Sequence, residues 1–473
     1  MPSVCSAQRV TVKRSLRYKR AHGNYTNKAK LNLLLRDLAS SYCLSPLNVD
    51  MQPWQSSCFH LRKHFWHFPS VPAKALRLLA ERNMFNNNDE DTFVGWTSVG
   101  KGIVYIQIHR RSKADQCTGC MFANLCHIDT VFIPGAPLQQ MELPLKEWEE
   151  TDIEMEITHC GVCGSDIHTL DSGWGPTDYP CVVGHEIVGI CTRVGSQVKH
   201  FHIGDRVGVG AQCDSCGECE ECQHGNENIC KDGLLGRGGT YNGFWKTGDK
   251  TFGGYANKWR GNHRFVFKIP CSMTNEIAAS FFCAGVTTYA PLRKAHVQAG
   301  DRVGVIGIGG LGHFAIQWVK AMGAEPVAIS HSSRKREDAK ELGCEKYIVS
   351  GDVQEMKNNA NTLTHIICTS FAQHFDWPSH LNLLQNNGQF IMVAIPEVPL
   401  AGISPLLLAG KQISLSGSII GSPRMIEDML RFAAIHSEVK PWINKYSLKN
   451  CNAAVQALRD GKARYRIVLE NDA

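Results

Sequence analysis

The sequence predicts an α/β protein in which a turn-rich β domain precedes a domain of alternating strands and helices. Three observations predict it. Residues 92–300 are dense in Gly, Val and Cys and carry short strand-like runs such as DIEMEI and RVGVG, the pattern of short strands bounded by turns. From Asp301 the grain changes. DRVGVIGIGG reads as a buried strand ending in glycines, and LGHFAIQWVKAMG as a helix with Leu311, Phe314, Ala315, Trp318 and Met322 at helical spacing. PVAIS, RKREDAKELG, KYIVS, HIICT and QFIMVAI then continue the series, and such alternation builds a parallel sheet with crossovers.

The chain is 473 residues long, enough for two or three domains with full cores. No stretch approaches the ~18–20 apolar residues a membrane span needs, and no apolar signal segment follows Met1. The expectation is a cytoplasmic protein with no membrane partner. Its 20 cysteines then imply metal ligation and free thiols rather than disulfides. The net charge of +6 is unevenly placed: residues 1–91 hold fourteen Lys and Arg against six Asp and Glu, so the remainder is slightly acidic. That remainder has no electrostatic reason to bind nucleic acid. The basic run Arg9 to Arg36 has no acidic residue, as in an organelle transit peptide. The other reading of residues 1–91 is a disordered or wrongly assigned leader.

Cys216, Cys219, Cys222 and Cys230 form a comb, C-x2-C-x2-C-x7-C. Thiolates this close suit one tetrahedral zinc wrapped by a loop. Cys213 lies three residues before the comb and could shift it by one ligand. A second set is dispersed: Cys163 in GVCGSD, His185 and Glu186 in VVGHEIVG, and Cys283 in FFCAGVTTY. A catalytic zinc wants three protein ligands and an exchangeable position. Cys163, His185 and Cys283 would supply the three, and Glu186 could ligate or swing away.

Gly307, Gly309 and Gly312 spell G-x-G-x-x-G between a predicted strand and a predicted helix, with Gly310 and Leu311 inside the loop. That context is the dinucleotide fingerprint. The next strand decides the cofactor. A carboxylate at its end would bind a ribose 2′-hydroxyl. Here Ser330, His331, Ser332, Ser333, Arg334, Lys335 and Arg336 stand there instead. Hydroxyls and cations bind a 2′-phosphate, so the expected cofactor is NADP.

The segments HCGVCGSDIHTLDSGWG, YPCVVGHEIVG, GDRVGVGAQ, the comb, TFGGYA, CAGVTTY, GIGGLGH, SSRKRED and ARYRIVL occur in this order. From about Phe93 to Val468 the chain resembles the zinc-dependent medium-chain dehydrogenase/reductases, and among them the cinnamyl alcohol dehydrogenase-like, NADP-dependent alcohol dehydrogenases. The resemblance implies a GroES-like catalytic domain over 92–284, with an atypical insert at 99–139. It implies a Rossmann domain over 285–417 and a return to the catalytic domain over 418–473. It implies two zinc ions per chain, catalytic at Cys163, His185, Glu186 and Cys283, structural at the comb. It implies a proton relay through Ser165 and His168, with Thr287 beside the nicotinamide. Ser330, His331 and Lys335 would hold the 2′-phosphate, and Arg466 a cofactor phosphate. His331 stands where relatives often have arginine. The implied reaction is hydride transfer between NADP(H) and a primary alcohol or aldehyde, favouring aldehyde reduction, in a homodimer.

Competing readings are a polyol dehydrogenase on the same scaffold, a catalytically impaired NADPH- and zinc-binding homologue, and a zinc ribbon binding nucleic acid. The balanced charge after residue 91 opposes the last. TFVGWTS is expected to open the catalytic domain and EETDIEMEI to lead into Cys163. Most of Val99 to Gln139 between them is expected to be poorly packed. Cys117, Cys120, Cys126 and His127 in that insert also read as a third zinc site.

Overall fold

The computed structural model describes residues 92–98, 137–372, 375–396 and 399–471. The expectations for residues 1–91 and 99–136, the third zinc site included, lie outside the described residues.

The first half is built on β1 (Thr92–Ser98), β2 (Gln139–Pro144), β3 (Asp152–Val162), β4 (Cys181–Val182), β5 (Ile187–Val194), β6 (Arg206–Val209), β7 (Lys258–Asn262) and β8 (Val266–Lys268). β1 lies between β2 and β4 in a small antiparallel sheet. Strand β2 was not expected. It corrects the end of the insert: Gln139 pairs with Thr97, and Leu138 is buried with its N–H on Asn452 Oδ1 at 2.6 Å. QQMELP gives only three alternating positions before a proline, too few to separate a strand from a loop.

β3 organises the larger sheet. One edge pairs with β5, through two irregularities in register, at Glu154/Met155 and Ile157/His159. The other edge is shared. β7 takes Asp152 to Glu156, and β16 (Arg466–Glu470) takes His159 to Val162. β16 in turn pairs in parallel with β15 (Ile443–Ser447). The chain thus returns to the larger sheet of the first half and lays Arg466 beside the end of β3. Ile153, Met155, Ile157, Val162, Ile187, Val207 and Ile467 form the core beneath.

The second half is a six-stranded parallel sheet of β9 (Arg302–Ile306), β10 (Glu325–Ser330), β11 (Lys346–Val349), β12 (Leu363–Cys368), β13 (Leu384–Met392) and β14 (Ser414–Gly417). Their order is β11-β10-β9-β12-β13-β14, the doubly wound arrangement. Both faces are covered, so the strands read as continuous apolar runs. Val303 and Val305 of β9 pack with Phe314 and Trp318 on one face. Ile306 joins Val327, Ile329, Ile366 and Phe390 on the other. Gly304 also faces that side, where a Cβ would fall 2.7 Å from Leu363 and 2.8 Å from Ile329.

Four helices matter for the site: α1 (Gly164–Leu170), α2 (Val286–Lys294), α3 (Gly312–Ala321) and α4 (Pro423–Ile435). α3 is the expected helix after the glycine loop, and its Phe314, Ala315 and Trp318 are fully buried. Burying each large side chain contributes about 1.5–3 kcal/mol.

Candidate active site

β3 ends at Val162, and Cys163 follows in extended geometry as the N-cap of α1. His185 and Glu186 immediately precede β5, after Gly184 at φ +98°. A Cβ on Gly184 would meet Tyr255 at 2.5 Å and Cys160 at 2.8 Å, so the turn needs glycine. Cys283 lies in a single π-turn, Phe281–Gly285, that runs into α2. Such turns recur at functional sites.

These elements bring one ligand atom each from Cys163, His185, Glu186 and Cys283 to within 4.8 Å of one another, all buried. The sulfurs of Cys163 and Cys283 are 3.9 Å apart. A tetrahedral ion with metal–sulfur bonds of about 2.3 Å requires an edge of about 3.8 Å. Among the described residues His185 Nε2 and Glu186 Oε2 are buried without a hydrogen-bond partner. A hydrogen bond from Cys283 holds the Cys163 thiol well below the ordinary range, with His185 and Arg466 assisting against burial. Two sulfurs, an imidazole nitrogen and a carboxylate oxygen fit zinc.

Two supporting groups had no role in the sequence reading. Asp166 is fully buried and accepts from Cys163 N (2.9 Å), Gly184 N (3.1 Å) and Tyr255 Oη (3.1 Å). Its Oδ1 stands 3.9 Å from His185 Nδ1. A carboxylate behind a ligating imidazole orients the ring. The Tyr241 ring stacks on that of His185 at 5.3 Å. The signal was present, since Asp166 is the last letter of GVCGSD, but only the fold brings it to His185.

Ser165 Oγ is 3.7 Å from Cys163 Sγ. His168, one turn along α1, stacks on the Trp174 ring at 4.4 Å, and Trp174 is 45% exposed. A hydroxyl beside the cluster is thus followed by an imidazole leaning on a surface ring. Thr287 sits in the first turn of α2, and its buried Oγ1 has no hydrogen-bond partner among the described residues.

The comb is a separate cluster. Cys216, Cys219, Cys222 and Cys230 bring their sulfurs within 4.8 Å of one another. Sulfur separations are 3.9 Å for Cys216–Cys222, 3.7 Å for Cys219–Cys230 and 3.5 Å for Cys216–Cys230. Backbone N–H groups of Glu218 and Cys219 point at Cys216 Sγ and pull that thiol down to about 6. A thiolate is what the metal needs. Cys213 is not in the cluster; it is buried, with its thiol on Gly239 O at 3.4 Å.

At the head of β9 each glycine has a distinct task. Gly307 turns the chain at φ +86°. Nothing lies within 4 Å of a Cβ on Gly309, which leaves the backbone open to a ligand. A Cβ on Gly312 would overlap the carbonyl oxygen of Gly307, so α3 packs directly on the turn. Leu311 is the N-cap of α3. At the end of β10, Ser330 is half-buried and His331 exposed. Lys335 reaches back to the Ile308 carbonyl and lies 5.0 Å over the Tyr465 ring. Arg466 is buried, ion-paired to Glu186, and its Nη1 lies 2.9 Å from where a Cβ on Gly310 would be.

Together these features set a buried group of four candidate metal ligands beside a glycine loop of dinucleotide-binding type. A family model described as alcohol dehydrogenase GroES-like domain matches residues 149–271, and one described as zinc-binding dehydrogenase matches residues 310–434. The chain is 38% identical to vomilenine reductase of Rauvolfia serpentina over 340 residues, 71% of this chain and 92% of that one. It is similar in structure to a cinnamyl alcohol dehydrogenase from Sorghum bicolor, with TM-score 0.69, 32% identity and coverage of 80% and 97%. A cinnamyl alcohol dehydrogenase from Helicobacter pylori complexed with NADP(H) gives TM-score 0.66 at 28% identity, covering 80% and 98%. The chain belongs to the zinc-dependent medium-chain dehydrogenase/reductases, among the cinnamyl alcohol dehydrogenases and related alcohol dehydrogenases.

Proposed function

We propose that this chain transfers hydride between NADP(H) and a primary alcohol or aldehyde of aliphatic or cinnamyl type, mainly as an aldehyde reductase. The observation that carries this is Arg466. One side chain is ion-paired to Glu186 of the candidate metal cluster and fills the space beside Gly310 where a Cβ would stand. The two chemistries therefore meet in one cleft.

Cys163, His185 and Cys283 would hold the catalytic zinc, with Glu186 as the exchangeable fourth group. What zinc supplies at such a site is Lewis acidity toward the substrate oxygen. Cys216, Cys219, Cys222 and Cys230 would hold the structural ion. The backbone of Gly307, Gly309, Gly310, Leu311 and Gly312 would receive the pyrophosphate at the start of α3. Thr287 would face the nicotinamide, Ser330, His331 and Lys335 the 2′-phosphate, and Arg466 a cofactor phosphate. Ser165 Oγ takes or returns the substrate proton, and His168 passes it outward past Trp174.

The domains are assigned to 92–284, 285–417 and 418–473, the last returning to the larger sheet of the first half. A homodimer is supported by β14, an edge strand with all four residues exposed. A reducing, cytoplasmic setting is supported by the cysteines, since none of the fourteen described is in a disulfide. Among the described residues no helix is long and apolar enough to cross a membrane.

The test is NADPH oxidation over a panel of aliphatic and aromatic aldehydes, with NADH in parallel. Turnover should be NADPH-selective and absent in Cys163→Ala, while the comb keeps its metal. Normal turnover in Cys163→Ala would defeat the reading.

A further inference from the structure

A cavity of ≈ 660 Å³ lies apart from the glycine loop and both cysteine clusters' sulfurs. Its walls are the end of α2, the start of α4 and the loop His224–Asn226 that follows Cys222. That volume suits a small-molecule ligand. Arg293, Lys294, Arg424 and Arg431 line it against one carboxylate, Asp428. Asp428 is already engaged, accepting from Tyr289 Oη at 2.8 Å and lying 3.6 Å from Arg293 Nε. Arg431 lies 3.7 Å from the exposed Glu427.

Arg293 and Lys294 stand in the last turn of α2 and complement its own dipole. Arg424 has no such reason. It occupies the first turn of α4, a 13-residue helix with no acidic residue in that turn. A cation there is unfavourable unless an anion accompanies it. The N-cap residue is the second observation. Ser422 is only 8% exposed and lines the cavity, yet its side chain caps no backbone N–H. Arg424, Asp428 and Arg431 follow at spacings of four and three, so they share the helix face that the cavity meets.

We propose that this cavity binds a small phosphate-bearing anion, held by the Arg424 N–H at the start of α4, which no carbonyl among the described residues takes up, by the Ser422 hydroxyl and by the guanidinium of Arg424, with Lys294 and Arg431 closing round it. The occupant would join the comb loop to the helices of the nucleotide-binding half, at a place separate from the NADP site. Binding is tested by calorimetric titration of inorganic tripolyphosphate into zinc-loaded, NADP-saturated protein. One site should be seen. Arg424→Glu should weaken it at least tenfold, and Ser422→Ala severalfold, with zinc content and NADP affinity unchanged. Lys294→Glu, at an exposed position, gives a second variant if Arg424→Glu fails to fold. Lys335→Ala should leave the site intact. Absence of binding, equal binding in Arg424→Glu, or loss of binding only in Lys335→Ala would overturn the proposal.

Discussion

The carboxylate of Asp166 stands 3.9 Å from His185 Nδ1, and neither side chain is more than 5% exposed. The same carboxylate fixes the backbone of Cys163 and of Gly184. One group therefore positions two of the candidate ligands. Asp166→Asn keeps the shape and removes the charge. It should lower metal affinity at the Cys163 cluster, or turnover, by ~10–100-fold. Metal analysis after dialysis against a weak chelator should show the comb ion retained. Full retention of both ions with full activity would remove Asp166 from the site.

Gly161→Ala should displace Glu186. The added methyl would land on its Oε2 and 2.8 Å from its Cβ. Glu186 cannot retreat freely, because it is fully buried and paired to Arg466. Overpacking of this kind costs about 1–3 kcal/mol. Urea denaturation should show that loss together with reduced turnover. A variant as stable and active as the parent would mean that Glu186 has room to move.

The comb should be required for its own lobe. Cys216, Cys222 and Cys230 form a cluster of their own, joined only by Cys219. Among the described residues no other buried apolar side chain belongs to that cluster. A structural zinc contributes roughly 10 kcal/mol or more to folding. Cys222→Ser should lose one ion and become open to limited proteolysis between Cys213 and Lys231. Unchanged protease resistance would show that the lobe stands without metal.

Lys335→Ala should weaken NADPH more than NADH. Lys335 bonds the Ile308 carbonyl and is half-buried in the short turn after β10, so its amine is positioned at the loop. A hydrogen bond to a charged group contributes about 1.5–3 kcal/mol, or ~10–100-fold in the NADPH dissociation constant. Fluorescence titrations with both cofactors measure it. Equal weakening would mean that Lys335 does not contact the 2′-phosphate.

His313 should make the protein acid-sensitive. It is fully buried, and burial lowers its pKa from 6.5 to about 3, with Arg466 adding to the effect. Between those values the unfolded chain binds a proton that the folded chain refuses. Stability therefore falls as pH drops from 6.5 toward 3, by up to about 1.4 kcal/mol per pH unit, and is flat above 6.5. Urea midpoints at pH 5 and pH 7.5 should diverge in the parent and converge in His313→Gln. Parallel behaviour would assign the pH dependence elsewhere.

Much of the site was legible because its signals are local. The comb lies within fifteen residues, and the glycine loop sits where a buried apolar run meets a helical one. What stayed hidden is carried by distance in the chain. Asp166 meets His185, and Arg466 meets Glu186, 280 residues away. Neither meeting follows from spacing. Strand β2 was missed because its partner β1 lies across the insert, so the hairpin has no turn signal next to it. The π-turn at Cys283 left no mark in FFCAG, since propensity does not separate it from an ordinary helical turn.

The two candidate metal clusters differ in how far the chain must travel to close them. Cys216 and Cys230 are 14 residues apart, whereas Cys163 and Cys283 are 120 apart. Loop-closure entropy grows with the logarithm of length, so the longer closure costs about 2 kcal/mol more before any contact offsets it. The comb can capture its ion as a local event in a chain still largely unfolded. The other cluster exists only after β3, β5 and the π-turn have been brought together. Metal loading therefore has an order built into the connectivity, and refolding with limiting zinc should fill the comb first and leave the Cys163 cluster empty.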